Sequence, residues 1–221
     1  MPPLAKHLST SISPKLLAAW EIGSVVVSAL IAEWFVLSFF GKSRWVVIVP
    51  LGLALGLMLV SHRVYGENAT DLGFRFDNFL PSLRLVAIPT IVFVIAILIV
   101  GLIGGNITIK APKAKLLFLP FWALFQQYAL QAYINRRAQV IFGQSVTSIL
   151  LVALVFALLH LPNPVLTGLT FAGGALWAFV YQRQPNLFGL AISHVIASLA
   201  ISILLPATML NSLRVGFKYL G

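Results

Sequence analysis

Three short segments hold the side chains that could do chemistry in an otherwise apolar chain. They are Phe-Gln-Gln-Tyr-Ala-Leu-Gln at 125–131, Phe-Ala-Leu-Leu-His at 156–160 and His-Val-Ile-Ala-Ser at 194–198. A hydrolase needs a group that takes a proton from water, and a carboxylate often does this. From Asn78 to Gly221 there is no aspartate or glutamate, so these segments offer imidazoles, amides and a hydroxyl instead.

The spacing of these polar side chains indicates that they meet. His194 and Ser198 are four residues apart and share a helix face. An unsatisfied amide or imidazole in hydrocarbon costs several kcal/mol, so such groups usually face one another or a wet cavity. We therefore expect Gln126, His160 and His194 to converge on one cavity within the membrane. The alternative interpretation is interhelical hydrogen bonding without chemistry.

The composition indicates an integral membrane protein. The chain is 60% hydrophobic and 9% charged, with a mean hydropathy of +0.99, against roughly 45–50% apolar and 25% charged residues in soluble domains. We predict one all-α integral membrane domain over residues 1–221, a polytopic transmembrane bundle of about seven helices. The helices are expected at about 16–40, 45–61, 83–103, 116–134, 146–160, 165–182 and 187–205.

The distribution of charge indicates lipid partners rather than nucleic acid. The net charge is +10, but the cations lie one to three at a time between apolar runs, as in anchors that meet anionic headgroups. No basic stripe with interleaved aromatic residues is present to follow a phosphate backbone. The absence of cysteine excludes disulfides, thiolate metal ligands and cysteine nucleophiles. We expect a multi-pass protein, of the cytoplasmic membrane if the source is prokaryotic.

Local patterns predict how the helices begin and pack. The cationic start, Met1 to Lys15, precedes an apolar run that is too long for a signal peptide, so a retained first helix is expected. Gly168, Ala172 and Ala175 follow small-residue spacing and predict close approach of a neighbouring helix on that face, which Gly173 and Gly174 widen.

The three segments together resemble the CPBP family of intramembrane proteases, which includes type II CAAX prenyl endopeptidases and bacteriocin-processing or immunity (Abi) proteins. That family's pattern is Glu-Glu-x-x-x-Arg, then Phe-x-x-x-His, then His-x-x-x-Asn on core helices. The second motif is complete here, and the third has Ser198 in place of asparagine. The first is degenerated to Gln-Gln-x-x-x-Gln. The resemblance extends best over a core of about residues 110–205.

The resemblance implies a role for each matching position. In the family, the first glutamate polarises the attacking water with help from the first histidine, and the second histidine and the asparagine stabilise the oxyanion. It implies four catalytic positions and three supporting ones: Gln126, His160, His194 and Ser198, and Gln127, Gln131 and Phe156. An amide at the first glutamate position can hold a water but cannot accept its proton, and losing a positioned base costs about 10²–10⁴-fold in rate.

The other two glutamines stand where the family has an ion pair. Removing one charge alone would leave the other uncompensated, whereas replacing both keeps the interior neutral. We expect Gln127 and Gln131 to contact each other or a shared backbone group.

Two acidic residues lie in the predicted apolar helices, Glu21 and Glu33. They are separated by about 18 Å of helical rise, so at most one reaches a given site. Glu21 continues a stripe of small residues that is typical of a packed interface (Ser24, Ser28 and Ala32). Glu33 is therefore the candidate substitute carboxylate, with a packing role as the alternative.

A divalent metal on His160 and His194 is a further alternative. Zinc usually takes three protein ligands, so two imidazoles with amides make a poor site.

Two functions follow from the resemblance. One is a CAAX-type intramembrane endopeptidase that cleaves membrane-embedded or lipidated (prenylated) peptides. The other is a non-catalytic member, a pseudoprotease that binds such chains in an immunity, chaperone or regulatory role.

Overall fold

The computed structural model describes residues 13–40, 44–104 and 117–221, and all regular structure in these ranges is helical. The long helices are α1 (Pro14–Phe39), α2 (Arg44–Tyr65), α3 (Phe79–Ile103), α5 (Val146–Leu158), α6 (Pro164–Arg183) and α7 (Leu187–Leu204). Helix α4 consists of three consecutive segments, Leu119–Gln127, Tyr128–Asn135 and Arg136–Phe142. A 3₁₀ turn, Asn211–Leu213, and a short helix α8, Phe217–Leu220, end the chain. The predicted all-α bundle is confirmed.

Five of these helices are long and apolar enough to cross a membrane, namely α1, α2, α3, α6 and α7, and α5 is a shorter apolar helix. The chain is a multi-pass membrane protein. The cationic stretch 1–12 and the expected start of the fourth helix at 116 lie outside the described residues.

Side-chain caps start the three helices that follow α4. Ser145 and Ser148 form a reciprocal capping box at α5. Asn163 accepts a hydrogen bond from the Leu166 amide at α6, and Asn186 accepts one from the Gly189 amide at α7. Each cap satisfies an amide that the first turn of a helix leaves without an intrahelical partner.

Helix α4 ends at Phe142 rather than near residue 134, because its two arginines are not in a loop. Arg137 is buried, and its guanidinium pairs with Glu67 at 2.8 Å and Glu21 at 3.1 Å. Arg136 pairs with Glu67 at 2.6 Å, and His62 Nδ1 lies 2.6 Å from the same carboxylate. We call these five residues the ion-pair cluster. It joins α1, α2 and α4 at one end of the bundle.

Glu67, in the loop after α2, is the centre of the ion-pair cluster. Burial by itself would raise the pKa of Glu67, but the hydrogen bonds from His62, Arg137 and Arg136 outweigh it. Together they hold the pKa of Glu67 well below its usual range, so the carboxylate stays charged.

Close packing of α5 against α6 occurs at Gly174, one of the two glycines expected to widen the small-residue face of α6. A Cβ on Gly174 would lie 3.1 Å from the Ala153 Cα and 3.3 Å from the Phe156 Cβ. A Cβ on Gly168 would meet nothing within 4 Å, and Ala172 is exposed. Gly174, rather than Gly168 or Ala172, therefore brings α6 onto the helix that precedes His160.

The connection between α2 and α3 is held against the start of α7. The Leu187 amide donates to the Gly73 carbonyl at 2.9 Å, and Asn186 Nδ2 donates to the Arg75 carbonyl at 2.6 Å. Tyr181 on α6 donates its hydroxyl to the Leu72 carbonyl at 3.0 Å. These bonds fix the beginning of α7 relative to α3 and α6, and His194 lies two turns further along α7.

Candidate active site

One cavity of about 450 Å³ lies among α1, α3, α4, α6, α7 and the C-terminal segment. Six residues singled out from the sequence line it: Glu33, Gln126, Phe156, His160, His194 and Ser198. The structure thus brings the polar residues of all three motifs together, along with the candidate carboxylate of α1.

The Phe156 ring contacts both histidines. Its centroid is 4.9 Å from that of His160 and 5.9 Å from that of His194, and both contacts are edge-to-face. Laid end to end, these two distances put the imidazole centroids at most about 10.8 Å apart. Both imidazoles therefore belong to the same part of the cavity.

His160 presents a basic nitrogen to the cavity. It lies in the turn after α5, and its Nδ1 is 2.7 Å from the Phe156 carbonyl oxygen. A carbonyl oxygen only accepts hydrogen bonds, so Nδ1 carries the proton. In the neutral ring Nε2 then holds the lone pair, and this nitrogen can accept a proton from water.

His194 has the opposite arrangement. The Gln127 amide Nε2 lies 3.3 Å from His194 Nδ1 and donates to it, so the proton of the neutral ring is on Nε2. The ring also stacks on the Trp177 indole at 4.4 Å. His194 is therefore a hydrogen-bond donor of fixed orientation, suited to developing negative charge on an oxygen.

A directed hydrogen-bond chain holds Trp177 in place. The indole Nε1 donates to Ser193 Oγ at 3.0 Å, and Ser193 and Thr90 Oγ1 are 2.7 Å apart. Thr90 donates its own proton to the Val86 carbonyl, so the Ser193 hydroxyl donates to Thr90. The chain links α6, α7 and α3 behind the His194 ring. Neither Trp177 nor Ser193 was identified from the sequence, where both are single polar or aromatic residues in apolar helices.

The three glutamines divide between the cavity and the core. Gln126 faces the cavity, whereas Gln127 and Gln131 are fully buried. Gln127 bonds to His194, and Gln131 Oε1 accepts from Asn135 Nδ2 at 2.9 Å. In the described part of the chain no hydrogen bond joins Gln127 to Gln131, and each amide has one partner elsewhere.

Asn135 is the hub of the polar core that receives Gln131. Its Nδ2 also donates to the Ala178 carbonyl at 3.2 Å, and its Oδ1 accepts from Gln139 and Gln182, each at 3.0 Å. The sequence showed Asn135 only as the residue before two arginines, and these long-range partners could not be read from it.

The C-terminal segment, residues 205–221, closes the cavity on one side through Leu213 and Val215. Asn163 Nδ2 holds this segment by donating to the carbonyls of Leu210 at 2.8 Å and Arg214 at 3.1 Å. Phe217 packs edge-on against Trp34 of α1 at 5.0 Å. The stretch just before α8 therefore forms a wall of the site.

The family comparison agrees with this geometry. The protein-family profile described as type II CAAX prenyl endopeptidase Rce1-like matches residues 75–200, more than half of the chain. The chain belongs to this family. Comparison with curated proteins and with solved structures gives no match.

In this member of the CAAX endopeptidase family, the matched range runs from the α2–α3 connection into α7 and contains the segments 125–131, 156–160 and 194–198. Among the described residues of this range no acidic side chain lines the cavity, whereas Gln126 does.

The described residues of this CAAX family member offer few ligands to a metal ion. No group of three or more His, Asp or Glu side chains in the described ranges is arranged to hold one. His194 Nδ1 already accepts a hydrogen bond from Gln127, and His160 Nδ1 donates to the Phe156 carbonyl. Zinc would need a third protein ligand, and both imidazoles would have to direct a nitrogen at the same point. No catalytic step is therefore assigned to a metal.

Proposed function

We propose that this CAAX family member is an intramembrane endopeptidase that hydrolyses a peptide bond in a membrane-embedded or prenylated chain. One observation carries the proposal: the basic nitrogen of His160 and the donor nitrogen of His194 belong to rings that line the same cavity.

The groups on the three motifs supply the parts of an amide hydrolysis. Gln126 and His160 hold a water, and His160 Nε2 takes a proton as the water oxygen bonds to the scissile carbonyl carbon. The carbonyl oxygen becomes an oxyanion, which accepts hydrogen bonds from His194 Nε2–H and the Ser198 hydroxyl. The carbon–nitrogen bond then breaks, and the proton on His160 passes to the leaving nitrogen.

The size and lining of the cavity favour a substrate that is partly apolar. Its volume of about 450 Å³ is within the usual 300–1,000 Å³ of small-ligand sites. Apolar side chains from α3 and α6 form much of the wall, including Phe93, Leu169 and Leu176. A prenylated peptide has the required combination of hydrocarbon and backbone amide.

The test is cleavage of a farnesylated peptide that ends in a Cys-aliphatic-aliphatic-X sequence. The full chain is reconstituted in lipid vesicles, and release of the C-terminal tripeptide is measured by mass spectrometry. We expect wild-type protein to release it and His160→Ala to lose at least about 10²-fold in rate. Equal rates for wild type and His160→Ala, or release by neither, would refute the proposal.

A second candidate function is supported by the neutral motif helix. Gln126 and Gln127 together cannot accept a proton from water, and Gln127 instead holds His194 in a neutral hydrogen bond. A member that binds lipidated peptides without cleaving them would keep the cavity and need no base. Saturable binding of the farnesylated peptide, with no tripeptide released, would favour this function, and His194→Ala should weaken that binding.

A further inference from the structure

Glu33 differs from every other acidic residue of the chain. The other four have partners: Glu21 pairs with Arg137, Glu67 is the centre of the ion-pair cluster, Asp71 bonds to Asn68, and Asp77 pairs with Arg75. In the described ranges Glu33 forms no hydrogen bond or ion pair, and it is the one acid that lines the cavity. Structural acids inside a bundle are normally paired, so this one points to a role in the site.

The backbone around Glu33 is irregular at this position. Ile31–Val36 is a π-helical segment inside α1, with α-helix on both sides. Single π turns within α-helices occur frequently at functional sites, because the extra residue turns one side chain out of register.

One glycine joins Glu33 to the turn that carries His160. The Gly216 amide donates to the Leu161 carbonyl at 2.8 Å, next to His160 in the chain. On its other side, a Cβ on Gly216 would lie 3.2 Å from the Glu33 carbonyl oxygen. Gly216 therefore lies against both Glu33 and the residue after His160. The Glu33 and His160 side chains both line the cavity. Lys218, two residues on, is close enough to act on the Glu33 charge.

We propose that Glu33 is a catalytic residue that supplies the carboxylate missing from the first motif. This inference rests on the proposed endopeptidase function. In this refinement the Glu33 carboxylate, rather than His160, takes one proton from the water. His160 and Gln126 orient that water, and the water oxygen bonds to the scissile carbonyl carbon. When the carbon–nitrogen bond breaks, Glu33 returns that proton to the leaving nitrogen. Water is thus added across the amide, and Glu33 ends the cycle as a carboxylate.

The experiment removes the carboxylate from α1 and then restores one on α4. Glu33→Gln keeps the size of the side chain, and we expect it to lower the rate of tripeptide release by about 10²–10⁴-fold. In the double variant Glu33→Gln/Gln126→Glu the carboxylate occupies the family's own position on the same cavity. We expect the double variant to cleave at least about tenfold faster than Glu33→Gln alone.

The matched control is Glu21→Gln, the same substitution on the same helix outside the cavity. Rates are normalised to the folded fraction by size-exclusion chromatography, because Glu21 pairs with Arg137 and its loss affects stability. We expect the normalised rate of this control to stay within about threefold of wild type, far from the loss expected for a missing base.

The outcomes separate this inference from the function on which it rests. Cleavage by Glu33→Gln at the wild-type rate would overturn the role of Glu33 and leave the endopeptidase function intact, with His160 as the base. A loss of activity that Gln126→Glu does not repair would also overturn the catalytic role of Glu33. It would show that Glu33 makes a structural contact of α1, which a carboxylate on another helix cannot replace. Absence of cleavage by wild-type protein would overturn both.

Discussion

Replacing Glu67 with glutamine should destabilise the protein more than any other single acid-to-amide change outside the cavity. The substitution keeps the shape of the side chain and removes its charge. Glu67 accepts hydrogen bonds from Arg136 at 2.6 Å and from Arg137 at 2.8 and 3.0 Å. The Arg137 side chain is only 1% exposed, so its charge cannot be compensated by water.

The size of the effect follows from which charges keep a partner. Breaking a buried ion pair costs about 3–5 kcal/mol, mainly because the remaining charge is left uncompensated. Arg137 keeps Glu21 at 3.1 Å, and Arg136 keeps a hydrogen bond to the Asp71 carbonyl. We therefore expect the lower end of that range, about 3 kcal/mol. For a chain of this size this corresponds to a fall of about 6–12 °C in melting temperature.

The pH dependence of stability should change with the same substitution. Because the pKa of Glu67 is lowered by folding, its contribution is fully present above the ordinary value of 4.5. As the pH falls below that value, the unfolded chain takes up a proton that the folded protein does not, so stability is lost. The melting temperature of wild type should fall from about pH 6 to pH 4 more steeply than that of Glu67→Gln.

Asp77→Asn is the matched control, measured by scanning fluorimetry in the same detergent. Asp77 also pairs with an arginine, but its side chain is 60% exposed and water can replace the lost partner. The control should melt within experimental scatter of wild type. If Glu67→Gln melted as high as Asp77→Asn, the ion-pair cluster would not contribute to stability in the way described.

Three further predictions concern the cavity and its supports. In Glu33→Gln protein, Gln126→Glu should raise peptide cleavage at least about tenfold by adding a proton acceptor, whereas Gln144→Glu, in an exposed loop, should leave the rate of that protein unchanged. Gly216→Ala should lower the free energy of unfolding by about 1–3 kcal/mol, because φ is +58° there and the new Cβ would meet α1. Greater protease sensitivity of the C-terminal segment and slower peptide cleavage would report this destabilisation. Gln131→Arg should destabilise by about 3–5 kcal/mol as an uncompensated buried charge, and Gln127→Glu in the same chain should recover much of that in detergent melting. A double variant no better than Gln131→Arg would contradict the last prediction.

Local patterns were sufficient to predict the helices and the residues that face the cavity. Apolar runs located the seven main helices, five of them long enough to cross a membrane, because a helix satisfies its own backbone hydrogen bonds in hydrocarbon. Polar side chains in those runs had to share an interior, and Gln126, His160, His194 and Ser198 do line one cavity. The cost of leaving polar groups in hydrocarbon therefore limits both where they occur in the sequence and where they lie in the fold.

Features that depend on distant partners could not be predicted in the same way. Arg136 and Arg137 indicated a loop, because their partner Glu67 is about 70 residues away in the chain. Small-residue spacing predicted close approach of a neighbour to α6, but spacing alone does not show that Gly174, rather than Gly168, makes the contact with α5. The position of Glu33 in the site depends on the C-terminal segment, which no periodicity connects to α1.

The first motif is compatible with its buried surroundings because both Gln127 and Gln131 are neutral. A substitution at only one of these positions would not be compatible. Gln127 Oε1 and Gln131 Nε2 are buried, and neither has a hydrogen-bond partner in the described ranges. One is an acceptor and the other a donor, at the positions that the resemblance matches to a glutamate and an arginine. Each unmatched amide atom costs about 1–3 kcal/mol, whereas a lone charge in the same place would cost more. The charged pair is therefore exchanged for a neutral pair at a tolerable cost only when both residues change. With the motif helix neutral, a carboxylate for hydrolysis has to come from another helix, and Glu33 of α1 is the acidic side chain that lines the cavity.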